Sequence, residues 1–135
     1  MMRRIFVAAF LVVVVCCVMG CATHVMTEKE GLSRTHTYIS FANNKQPYSY
    51  TGEVGGEHMA HTKIVAFSQE RYLVEVVSQA EGMNLSIQGE GITVDGQGLK
   101  QTVSVGEIQE TFIDIALTAH PSGRYSLKII QLPNL

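Results

Sequence analysis

Histidines and carboxylates are the side chains of this sequence that could hold a metal or move a proton, and the tightest grouping is His58 and His61 beside Glu57. Two imidazoles and a carboxylate make a plausible zinc ligand set. Three-residue spacing, however, puts two side chains on one face of a helix but on opposite faces of an extended strand. In a chain built of strands the pair therefore reads as two exposed loop histidines. Glu53 and Glu57 are the nearest approach to a general acid and base pair, but they fall at an expected strand end, where solvated acids are routine. His24, His36 and His120 have no partner nearby in sequence. Signatures of a nucleophile elbow, a phosphate loop, a zinc-protease helix and a redox cysteine pair are absent. These residues point to a non-enzymatic protein with no cofactor and no metal centre. Tyr38, Tyr48, Tyr50 and Tyr125 offer a different chemistry, a face on which sugar rings stack, although the same residues also serve as half-buried strand positions.

The thiol chemistry sits at the N-terminus. Met1-Met2-Arg3-Arg4 precedes an apolar run from Ile5 to Met19, the charged and apolar regions of an export signal. The run is short for a membrane span of about 20 residues. It ends in Val18-Met19-Gly20-Cys21, which resembles the lipobox of bacterial lipoprotein precursors. Cleavage there needs a small residue, and only a thiol can carry a thioether-linked diacylglycerol; Gly20 and Cys21 meet both needs. An ordinary cleaved signal and an uncleaved anchor running through Ala22 are the competing readings. The expectation is a signal peptide over 1–20, removed on export, and a palmitate-bearing lipoprotein anchored in a membrane of the bacterial cell envelope through Cys21. One acyl chain holds only marginally, whereas two or three hold firmly. Ala22 is not the aspartate that retains enteric lipoproteins at the inner membrane, so the outer membrane, facing the periplasm, is the expected location.

With Cys16 and Cys17 in the removed segment and Cys21 modified, the folded part has no disulfide and must stand on its core. Roughly 115 residues are enough for one domain. Ten basic against 12 acidic residues give a formal charge of -2, and losing Arg3 and Arg4 takes it to -4. A mildly acidic balance argues against nucleic acid, which needs a clustered basic surface, and allows a basic protein partner.

These residues must be positioned by strands. Residues 21–34 are polar, without a sustained apolar period, and read as a lipid-anchored tether. From 35 to 135, short runs rich in β-branched and aromatic residues alternate with turn formers. Runs are expected at 35–41, 48–54, 62–67, 71–78, 83–88, 101–105, 111–118 and 124–131, with a short edge piece at 92–94. The two-residue period puts Tyr72, Val74 and Val76 on one face, as it does Ile113, Ile115 and Leu117, and Tyr125, Leu127 and Ile129. Asp95-Gly96 signals a hairpin turn, and Pro121-Ser122-Gly123 a turn before the last run. The fold class is all-β: a small antiparallel β-sandwich, jelly-roll-like, of about eight strands in a single domain.

Two stretches carry a family resemblance. Tyr50-Thr51-Gly52-Glu53-Val54, followed by the 71–76 strand and by Glu81-Gly82 and Gly89-Glu90-Gly91, is one; Pro121 to Gln131 is the other. Together they resemble the periplasmic inhibitors of g-type lysozyme and, more distantly, the prepeptidase C-terminal domain sandwiches. The resemblance implies a lysozyme inhibitor that plugs the enzyme's cleft with loops. Ser122, Gly123, Arg124 and Tyr125 match a tetrapeptide of several lysozyme inhibitor families and would be the contact residues. Where those inhibitors use a loop tyrosine and arginines beyond the last strand, this chain has Glu57 and Pro133. The alternative is a generic envelope module binding carbohydrate or protein. The implied partners are thus the membrane through the lipid, and lysozyme, another envelope protein or a glycan.

Metabolic labelling with a palmitate analogue should mark the wild-type chain, and Cys21→Ala should remove the label; equal labelling of both refutes acylation at Cys21.

Overall fold

A computed structural model describes residues 23–30, 34–41 and 46–134; the expected signal peptide and Cys21 lie outside the described residues. Ten strands are seen: β1 (Thr23–Glu30), β2 (Arg34–Phe41), β3 (Tyr48–Gly55), β4 (Ala60–Phe67), β5 (Arg71–Val77), β6 (Asn84–Gln88), β7 (Ile92–Gln97), β8 (Lys100–Val105), β9 (Glu110–Thr118) and β10 (Ser122–Leu132). They form two five-stranded sheets, β1-β2-β4-β9-β6 and β3-β10-β5-β8-β7. No helix among the described residues is long and apolar enough to cross a membrane.

Alternation builds the core. In the first sheet Ile39, Ile64, Ala66, Ile113, Ile115 and Leu117 point inward; in the second Tyr72, Val74, Val76, Val103, Tyr125, Leu127 and Ile129 do so, and all belong to one buried cluster. The three inward faces expected from the two-residue period are therefore the ones that pack, and the all-β sandwich is the fold. Tyr72 is fully buried and its ring meets Phe41 at 5.4 Å between centroids, tying the two sheets together.

Every strand pair is antiparallel except β2 with β4, where His36 sits against His61 and Ser40 against Val65 in parallel register. The cause is the path of the chain: after β2 it crosses to the second sheet as β3 and returns as β4, and such a crossover brings two strands of one sheet into the same direction.

The structure corrects three local expectations. Residues 23–30, expected as tether, form β1 and pair along β2 from Thr23 against Phe41 to Glu30 against Arg34. A strand's ladder is made by backbone groups, so a polar stretch can join a sheet edge without an apolar period of its own. Asp95-Gly96 lies inside β7, and the hairpin turns two residues later at Gly98 and Leu99, between Gln97 and Lys100. Gly98 has φ 69° at the first turn position, as a type II′ turn requires. Gly96 is demanded by another constraint: its φ is 101° and a Cβ there would lie 2.8 Å from the Lys100 carbonyl oxygen. Finally, the turn into β10 spans 119–121, while Ser122 and Gly123 already pair with Gly55 and Val54.

Strand directions sort the connections to two ends. One end gathers Phe41 and the 68–70, 89–91 and 106–109 connections; the other gathers 56–59, 78–83, 98–99 and 119–121. At the first end Gln69 N–H and the Ser68 hydroxyl both donate to the Gly106 carbonyl, and Gly106 N–H donates to Gly91.

Gly96→Ala should lower stability by about 1–3 kcal/mol, because it forces an L side chain into a left-handed backbone. Exposed Asp95→Ala should change it by less than about 0.5 kcal/mol. Urea midpoints of the two variants check this, and a turn at 95–96 would instead make Asp95→Ala costly.

Candidate functional site

The strand β3 is an edge of the second sheet, and it contributes glycine twice where a neighbouring strand would carry a side chain. A Cβ on Gly52 would stand 2.7 Å from the Tyr50 ring and 2.9 Å from the Tyr125 hydroxyl. That missing carbon lets the two rings meet, with centroids 6.2 Å apart and planes tilted 46°. Tyr125 is buried beneath, whereas Tyr50 is 50 % exposed. The pair forms one wall of a cleft of about 490 Å³ where the sheets part beside β3. Thr37 and Thr62 line it from the first sheet, Val54 from the second, and Glu53, His58, Met59 and Ser122 border it as exposed residues.

This volume falls in the range of small-ligand pockets, and the lining has their usual mix of ring surface with a few hydroxyls and one carboxylate. A tilted tyrosine pair with one exposed ring can stack a flat or ring-shaped group. Burial pushes the Tyr125 hydroxyl up to about 12, with Tyr50 and Tyr48 adding to the effect. Burial likewise raises Tyr48, again with help from Tyr50. The Tyr48 and Tyr125 hydroxyls therefore keep their protons at neutral pH.

The four residues singled out by the family resemblance separate into two kinds. Tyr125 belongs to the core, and a Cβ on Gly123 would lie 2.5 Å from that of Ala80, so packing demands both residue types. Ser122 is exposed at the lip of the cleft. Arg124 is exposed on the outer face of the second sheet, its Nε 3.8 Å from Glu53.

Of the histidines singled out by spacing, His58 is exposed in the β3–β4 connection, but His61 is not a loop residue. It lies on β4, and with a proton on Nδ1 its ring donates to the Asp114 carboxylate at 3.1 and 3.2 Å. Asp114 is on β9, 53 residues away, so no local spacing could have exposed the pair. The alternation of both strands places it on the face of the first sheet opposite the core, near Lys63, whose ammonium stands 5.7 Å over the Tyr38 ring. Such a dyad orients an imidazole. Among the described residues no group of three His, Cys, Asp or Glu gathers as a metal site.

Fold and cleft together define a β-sandwich with an open, tyrosine-walled cavity of ligand size. Compared with protein-family models, curated proteins and solved structures, the chain matches none.

Because Tyr125 ionises less readily in the fold than at its ordinary 10.0, the native state keeps a proton that the unfolded chain releases. The associated stability is complete below about pH 10 and is lost as pH rises through about 12. Tyr72, raised by burial and by neighbouring Glu70, acts in the same direction. Tyr125→Phe should therefore make the alkaline fall in stability shallower, as measured by urea midpoints across that range; an unchanged slope would remove Tyr125 from the account.

Proposed function

We propose that this protein is a non-enzymatic binding module, held in the bacterial cell envelope by lipid on Cys21, whose tyrosine-walled cleft takes an envelope glycan. The observation that carries the reading is the exposed Tyr50 ring, backed by buried Tyr125 over the space left by Gly52. Sugar rings present an apolar face to aromatic surface and hydroxyls to polar groups, and here Thr37, Thr62 and Glu53 supply the polar partners. The lipobox-like Val18 to Cys21 supports the anchor, and outer-membrane attachment facing the periplasm follows from Ala22.

A second reading, inhibition of a g-type or other lysozyme, is favoured by the position of Ser122 at the lip of the cleft and by the exposure of the Arg124 side chain. Loops at this end would then enter the enzyme's cleft.

Purified mature protein should sediment with insoluble peptidoglycan sacculi, and Tyr50→Ala should weaken that binding about tenfold, the equivalent of about 1.4 kcal/mol. Asp95→Asn, on the far edge strand, should leave it unchanged. Loss of binding in neither variant, or equal loss in both, counts against the cleft. A lysis assay with g-type, c-type and i-type lysozymes separates the second reading: no slowing at large molar excess removes it, and slowing abolished by Arg124→Ala establishes it.

A further inference from the structure

We propose that the end of the sandwich bearing Phe67 and Phe112 rests on the bilayer surface, so that the tyrosine-walled cleft opens away from the membrane. This rests on the proposed acylation of Cys21.

Chain length sets the first constraint. β1 begins at Thr23, two residues after Cys21, and Thr23 pairs with Phe41 at the last position of β2. At no more than about 3.6 Å per residue, the acylated residue is within about 7 Å of that strand end. A tether so short cannot hold the domain far above the lipid. The bilayer must face the end of the first sheet where β1 starts.

Register identifies what else is at that end. β4 runs parallel to β2, so its last residue, Phe67, ends beside Phe41, and Val65 pairs across to Phe112 on β9. Phe67 is 46 % exposed and Phe112 52 %, the only exposed phenylalanines among the described residues. Both alternate with core positions, so they share the outer face of the first sheet with half-buried Val65. In the strand order, β4 and β9 are two and three places from β1. At the usual strand spacing, that is about 10 and 14 Å from the anchored edge. Two aromatic rings held open to solvent thus stand beside the point of lipid attachment, where a headgroup interface gives them apolar contact without full immersion. Glu90, Glu107 and Glu110 are exposed at the same end, which keeps the contact shallow and disfavours anionic lipid.

The cleft occupies the other end. Its residues Thr37, His58, Met59 and Ser122 lie where β4 begins, and β4 is eight residues long. Its two ends are therefore about 23 Å apart at the usual rise. A cleft so placed faces the wall polymer and not the lipid.

The sequence contains no tryptophan, so each introduced indole is a unique reporter. The full-length chain is expressed with Phe67→Trp, Phe112→Trp or Met59→Trp, extracted in detergent, and reconstituted into phosphatidylcholine vesicles containing lipid brominated near the headgroup. Mass spectrometry reads the acyl state of Cys21. Emission from Trp at 67 and 112 should shift to the blue and fall at least twofold, while Trp at 59 should be unquenched. Equal quenching at both ends, or quenching at 59 alone, overturns the orientation while leaving acylation intact. Absence of acyl mass on Cys21 overturns the anchor and the orientation with it.

Discussion

Burial of one continuous apolar layer between two sheets is the interaction on which the rest of this protein depends. No cysteine occurs between residues 22 and 135, so no covalent staple assists. Each fully buried Leu, Ile or Val contributes about 1.5–3 kcal/mol, and the layer is made almost wholly of such side chains with Tyr72 and Tyr125 as its largest members. β10 is its spine: paired with edge strand β3 on one side and central β5 on the other, it sends Tyr125, Leu127 and Ile129 inward. A residue slip there would turn all three outward, because side chains alternate strictly along a strand.

The cleft is the local failure of that same packing. Where β3 forms the sheet edge, glycine at position 52 withholds a side chain and the two sheets part. The tyrosines then serve two ends at once: the buried ring of Tyr125 completes the core, and the ring it supports, that of Tyr50, is offered to solvent. The residues that wall the cleft are thus inseparable from those that matter for folding, and Gly52 matters to both. Such double use also explains why Ser122 to Tyr125 looks like a recognition motif while half of it is demanded by packing alone.

What could be read along the chain was the local part. The faces carrying Tyr72, Val74 and Val76, or Ile113, Ile115 and Leu117, follow from a two-residue period that needs no knowledge of neighbours. Turn glycines were harder. Gly96 and Gly98 both have positive φ, and only the β7–β8 register, with Gly96 against Gln101 and Gln97 against Lys100, makes the former a strand residue and the latter the turn. β1 is not legible in the sequence, because ladder hydrogen bonds leave no trace in side-chain polarity.

The sequence by itself determined the all-β class, the inward faces of β5, β9 and β10 and the lipobox-like cysteine, since each is a property of adjacent residues. Tertiary structure alone decided that β2 and β4 run parallel, that His61 meets Asp114 and that Tyr50 lies over Tyr125. It also decided which end of the sheet lies beside Thr23. These join positions far apart in the chain, and their pairing is selected by how two whole faces fit, a condition that no window of neighbouring residues contains.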